Sequence, residues 1–63
     1  MSTYQQRVVG EREELDTKMA KLSEFMHGDV YAGLNATEQG LLMVQIVAMQ
    51  NYSDVLFRRI EMH

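Results

Sequence analysis

Cysteine is absent from this 63-residue chain. Disulfides and thiolate metal sites are therefore excluded, and a reducing compartment is permitted. Proline is absent too, so nothing covalent interrupts a long helix. Tryptophan is missing and aromatics make up only 8% of residues. Histidine is limited to His27 and His63. Two imidazoles expected at opposite helix ends make a poor metal site, so surface or end-capping roles are expected for both. Positive charge is also scarce: six Lys and Arg stand against nine Asp and Glu, a formal charge of −3. That balance argues against duplex nucleic acid, which needs many phosphate contacts from a basic face. It still allows one small anion held by a few well-placed cations. The first residues, MSTYQQR, contain no apolar run of the kind that opens a secretory signal. A cytoplasmic protein is expected.

What is present is helical periodicity. Ser2 followed by Gln5 reads as a capping box. From there Val8, Leu15, Met19, Leu22 and Met26 recur on one helical face. Glu14 and Lys18 are placed as an i,i+4 pair on the outside. Gly28 suits a left-handed helix stop, and Gly33 offers a positive φ within the connector. Asn35 with Glu38 three positions on reads as a second capping box. Leu42, Ile46, Met49, Leu56 and Ile60 then repeat the spacing, with Ser53 in the missing slot.

The reading is all-α, a single helical-hairpin domain over 1–63. One helix is expected over about 3–27, a connector over about 28–35 and a second helix over about 36–62. Helices of about 26 residues run roughly 40 Å, and a short connector folds them antiparallel. Setting Leu22 against Leu42 places Met19 by Ile46, Leu15 by Met49 and Val8 by Leu56. The same register puts Arg12, the charged member of its seam, opposite Ser53. A polar layer is predicted there.

The second helix is too apolar for one partner. No charge occurs between Gln39 and Ser53. Leu41, Val44, Ala48, Tyr52 and Val55 form a stripe beside the seam, and Met43, Val47 and Phe57 extend a third. A helix apolar nearly all round is normally buried. The run is too short and too rich in Gln and Asn to span a membrane. A chain of this size has a marginal core on its own. Assembly into a homo-oligomeric bundle, at least a dimer, is therefore expected.

Catalytic signatures are missing: there is no phosphate-binding glycine loop, metal-ligand helix pair or nucleophile elbow. A non-enzymatic role without cofactor is expected. Glu11, Glu13, Glu14 and Asp16 read as a solvated acidic face, and the methionines as gap-fillers of the core. The cations are more informative. Tyr4 lies one turn before Arg7, and the hairpin returns Arg58 and Arg59 to their neighbourhood, while Lys18 and Lys21 sit further along the first helix. Aromatic rings stack on bases while Lys and Arg meet phosphates. Ordinary surface ion pairs account for the same residues by pattern alone.

Two sets of residues carry a resemblance. The first is Tyr4-Gln5-Gln6-Arg7-Val8, then Glu14-Leu15-Asp16 with Lys18, then Lys21-Leu22 with Phe25. The second is Leu34, Glu38-Gln39, Leu41-Leu42, Gln45, Met49, Tyr52, Leu56 and Arg59-Ile60. Together they resemble the hairpin domain shared by phage anti-CBASS protein 2 and the anti-Thoeris protein 1 sponges, over nearly the whole chain. The resemblance implies a hexamer of hairpins in the cytoplasm of the infected bacterial host. Such proteins bind cyclic oligonucleotides without cleaving them, so that immune effectors stay inactive. The anti-CBASS type takes cyclic dinucleotides, such as cyclic GMP-AMP, and cyclic trinucleotides in a separate pocket. The anti-Thoeris type takes cyclised ADP-ribose products and extends beyond the hairpin; ending at His63 favours the anti-CBASS type. For the dinucleotide pocket the resemblance implies Tyr4 as the aromatic and Lys21 with Ser23 as the lysine-x-hydroxyl pattern, Lys18 being the alternative lysine. Arg7 belongs to the same cationic group, and Arg59 is implied for the trinucleotide pocket. Relatives carry a leucine-proline turn where this chain has Leu34-Asn35. Two other classes compete: an RNA-binding hairpin dimer resembling the plasmid regulator Rop, and a structural assembly factor whose apolar stripe covers a protein partner.

Overall fold

The computed structural model describes residues 2–62. His63 lies outside them. Helix α1 runs Thr3–Met26, a single turn α2 runs Asp29–Ala32, and α3 runs Ala36–Glu61. The long helices pack against each other as an antiparallel hairpin, 45 Å along its major axis and 15 by 11 Å across. There is no strand among the described residues.

Each of the two long helices begins where a short polar side chain replaces the missing backbone partner. Ser2 Oγ accepts from the Gln5 amide at 3.1 Å, and Gln5 Oε1 accepts from the Ser2 amide at 3.0 Å. Both halves of the expected box are formed. At α3, Asn35 Oδ1 accepts from the Glu38 amide at 2.8 Å. The Glu38 side chain makes no return bond, so this cap is one-sided.

The connector departs from expectation. Gly28 has φ −97° and ψ 175°, and Gly33 has φ −86° and ψ −7°; no described glycine has positive φ. Neither residue uses the left-handed region. The cause is α2: instead of reversing through a left-handed cap, the chain leaves α1 at His27, extends through Gly28 and coils once more. His27 Nδ1 lies 2.7 Å from the Ser23 carbonyl, which can only accept, so Nδ1 carries the hydrogen. His27 is thus an end-capping group, as expected. Tyr31 and Gln39 close the loop reciprocally. Gln39 Nε2 donates to the Tyr31 carbonyl at 2.8 Å, and the Tyr31 hydroxyl donates to the Gln39 carbonyl at 3.3 Å. The Tyr31 ring also meets Phe25 edge-on, centroids 6.4 Å apart.

The seam contains the residues that the spacing selected. Val8 and Leu56 are fully buried, and Leu15, Met19, Leu22, Met26, Leu42, Ile46, Met49 and Ile60 are half-buried between the helices. Ser53 is buried as completely as its apolar neighbours, at 1% exposure. Arg12 Nε donates to Ser53 Oγ at 3.3 Å, the predicted polar layer. Ser53 in turn donates to Asp16 Oδ1 at 2.7 Å, and Arg12 lies 3.7 Å from Asp16. That is the single ion pair among the described residues; Glu14 and Lys18 are not within reach of each other. The methionines divide: Met19, Met26 and Met49 fill the seam, whereas Met43 and Met62 are exposed.

The hairpin leaves most of α3 uncovered. Leu41, Val44 and Val47 are 64%, 66% and 59% exposed, and Met43, Tyr52, Val55 and Phe57 are exposed beside them. No helix of the described residues is long and apolar enough to cross a membrane.

Candidate functional site at the open end of the hairpin

The antiparallel register brings the start of α1 beside the end of α3. Arg59 Nη2 donates to the Tyr4 hydroxyl at 2.5 Å, and its guanidinium carbon lies 5.6 Å from the Tyr4 ring centroid. The ring therefore meets the cation through both its oxygen and its π system. The hydrogen bond to Tyr4 is the main reason that the Arg59 pKa is raised, with a smaller contribution from Glu11. Arg59 stays charged at any ordinary pH. Arg7, one turn further along α1, is exposed.

Two turns along, the Tyr52 hydroxyl donates to Glu11 Oε2. Tyr4 and Glu11 are seven residues apart on α1, as are Tyr52 and Arg59 on α3. The two cross-helix ties therefore repeat along one side of the hairpin, about 10 Å apart. The second tie is not visible in the sequence pattern, where Glu11 falls on a charged face and Tyr52 on an apolar stripe. Glu11 and Tyr52 each precede a member of the Arg12–Ser53 layer by one position, and their long side chains meet diagonally across the register. The acidic face is exposed as expected except for the half-buried Asp16. Glu11 and Asp16 are tied across the seam, while Glu13 and Glu14 remain exposed.

The remaining sequence-selected residues lie elsewhere. Lys18 and Lys21 line an open groove of about 430 Å³ on the outside of α1, with Gly10, Glu13, Glu14 and Thr17. Ser23 lines a separate, largely apolar groove of about 410 Å³ between the helices, with Met19, Ala20, Ile46, Val47 and Gln50. Two positions on a helix differ by about 200° around its axis, so Lys21 and Ser23 point apart. Lys21 is also about 26 Å along the helix from Tyr4. The six residues thus occupy three places: Tyr4 and Arg59 together with Arg7 one turn away, Lys18 with Lys21, and Ser23 by itself. Among the described residues, no cluster of His, Asp or Glu could hold a metal ion.

No solved structure matches the chain. The protein of Enterobacteria phage T4 described as an uncharacterized 7.5 kDa protein in the denB-rIIB intergenic region is 37% identical over 60 residues, covering 95% of this chain and 94% of its own length. The family model described as Sequestin matches residues 2–62. The chain belongs to the Sequestin family.

Proposed function

We propose that this protein is a phage-encoded sponge that captures cyclic oligonucleotide second messengers in the cytoplasm of the infected host and releases them unaltered on denaturation. Cyclic dinucleotides such as cyclic GMP-AMP are the principal ligands, with cyclic trinucleotides at a second pocket. Withholding them keeps a CBASS effector inactive. The observation that carries the reading is the Tyr4–Arg59 pair: an aromatic face and a fixed cation, brought from opposite chain ends, with Arg7 one turn away. Tyr4 offers a base-stacking face to a dinucleotide, and Arg59, which the resemblance implies for the trinucleotide pocket, holds a phosphate-binding cation against the same ring, so the two pockets adjoin at this end. The family name and the phage relative support sequestration as the role.

A complete dinucleotide pocket needs more than one chain. Tyr4 and Lys21 are too far apart within one hairpin to hold a single small ligand, and Lys21 and Ser23 face different ways. Copies of the chain, covering the apolar surface of α3, supply the missing side; a hexamer is the assembly proposed. Preformed pockets at repeated interfaces lose little entropy on capture, which a tight binder requires.

The test is to incubate purified protein separately with cyclic dinucleotides, cyclic trinucleotides, cyclic ADP-ribose isomers and structured RNA, and to measure complex mass and affinity. Tight 1:1 or substoichiometric binding, with the cyclic nucleotide recovered intact after heating, is the expected result. Recovery of a hydrolysed product would make the protein an enzyme. Tight RNA binding with a steep salt dependence would replace the sponge with an RNA-binding hairpin.

A further inference from the structure

Helix α3 offers α1 a choice of faces. The covered face carries Ser53; the neighbouring face, with Leu41, Val44 and Val55, remains exposed and carries no buried hydroxyl. Hydrophobic burial is non-directional and scales with area, so it does not by itself favour the face that contains a serine. The chain nonetheless buries Ser53 to 1% exposure.

The difference between the faces is polar. Ser53 accepts from Arg12 Nε at 3.3 Å and donates to Asp16 Oδ1 at 2.7 Å, so its hydroxyl is used in both directions. Arg12 and Asp16 are one turn apart on α1, and their charges lie 3.7 Å from each other. Phe57, one turn beyond Ser53 on α3, places its ring 4.7 Å from the Arg12 guanidinium carbon. Two residues of each helix thus form a clasp in which no buried side-chain polar atom lacks a partner. Turning α3 to another face would take Ser53 from both partners and set Arg12 against aliphatic side chains. Arg12 and Asp16 keep 34% and 45% of their side-chain surface, so what is lost is a set of paired hydrogen bonds and a cation–ring contact rather than a fully buried charge pair. The same penalty applies if α3 slides along α1 by one layer.

We propose that the Arg12–Asp16–Ser53–Phe57 clasp selects which face of α3 is covered by α1, and thereby which face is left for a second copy of the chain. The clasp is a selector rather than a source of net stability. The inference is independent of which ligand the protein binds. It follows the general logic by which one buried polar layer specifies register and partner number in helical assemblies.

The test replaces the layer with apolar groups of similar combined size, Arg12→Leu with Ser53→Ala, in the full chain. Amide NMR spectra and native mass spectrometry are recorded for parent and variant. The parent is expected to give one set of amide resonances and one mass. The variant is expected to stay helical, with a thermal midpoint no lower than the parent's, yet to show more than one set of resonances or a mixture of oligomers. A single species identical in mass to the parent would overturn the proposal. So would loss of folding, because the layer would then be a source of stability. Ser53→Thr, which keeps the hydroxyl, should preserve the single species; heterogeneity there would equally remove the hydroxyl from the selecting role.

Discussion

Arg59 donates its hydrogen bond to the hydroxyl of Tyr4 at 2.5 Å although 55 positions separate the two in sequence. Neither residue is in the seam, and the contact exists because α1 and α3 are nearly equal in length and run antiparallel. Removing the ring should therefore affect ligand capture more than folding. Tyr4→Ala is expected to weaken cyclic dinucleotide binding on the order of tenfold or more, from loss of a base-stacking face. Tyr4→Phe, which keeps the ring, should lose much less. Calorimetric titration of both variants checks the contrast; equal losses would assign the effect to the hydroxyl.

Lys21→Ala should weaken dinucleotide capture while leaving helicity and oligomeric mass unchanged. The side chain is exposed on the outer groove of α1 and makes no hydrogen bond or ion pair among the described residues. Titration beside sedimentation velocity separates the two effects. Unchanged affinity would remove Lys21 from the pocket and leave Lys18, on the same groove, as its replacement.

Leu56 has no exposed surface. Truncating it to alanine removes buried methyl groups beside Val8 and the polar layer, at a cost of about 2–5 kcal/mol. In a domain this small that is a large share of total stability. Urea titration should show a midpoint well below the parent's, or no folded baseline at all.

Val44 is 66% exposed within the hairpin. A glutamate there should be nearly neutral for an isolated hairpin, as exposed substitutions usually lie within about 0.5 kcal/mol. If copies cover the face, Val44→Glu buries a charge between them and dissociates the assembly. Sedimentation equilibrium of parent and variant at micromolar concentration distinguishes these outcomes. A parent that sediments as one hairpin would remove the basis for shared pockets.

Gly10 lies in the interior of α1 with negative φ, and a Cβ added to it would meet nothing within 4 Å. Gly10→Ala should therefore stabilise a lone hairpin by about 0.5–1 kcal/mol through reduced chain entropy and better helix propensity. Destabilisation in thermal melts would instead show that another chain approaches the backbone closely at this point.

The helices and their seam were legible because both rest on one strong signal, apolar residues at helical spacing. The Arg12–Ser53 pairing followed from it, since in a hairpin one contact sets all the others. The connector was not legible. Glycine permits a left-handed stop without requiring one, and the Tyr31–Gln39 lock that organises the turn joins residues of unrelated pattern. Glu38 shows a similar limit: capping spacing brings a side chain within reach of a backbone amide but does not oblige it to bond. At the site, Tyr4 and Arg59 were brought together by register. Lys21 and Ser23 were grouped by a linear pattern, and a helix turns such neighbours to opposite sides. Spacing along a chain carries direction only once the secondary structure is imposed on it.

The hairpin's antiparallel course has a practical consequence for anyone labelling this protein. Ser2 and Met62 both lie at the pole that holds Tyr4 and Arg59, where Met62 is 82% exposed. The turn around Val30, 67% exposed, sits at the far pole of a rod 45 Å long. Dyes, affinity handles and surface tethers placed there keep clear of the aromatic–guanidinium pair, whereas a terminal tag starts from the pole that holds it.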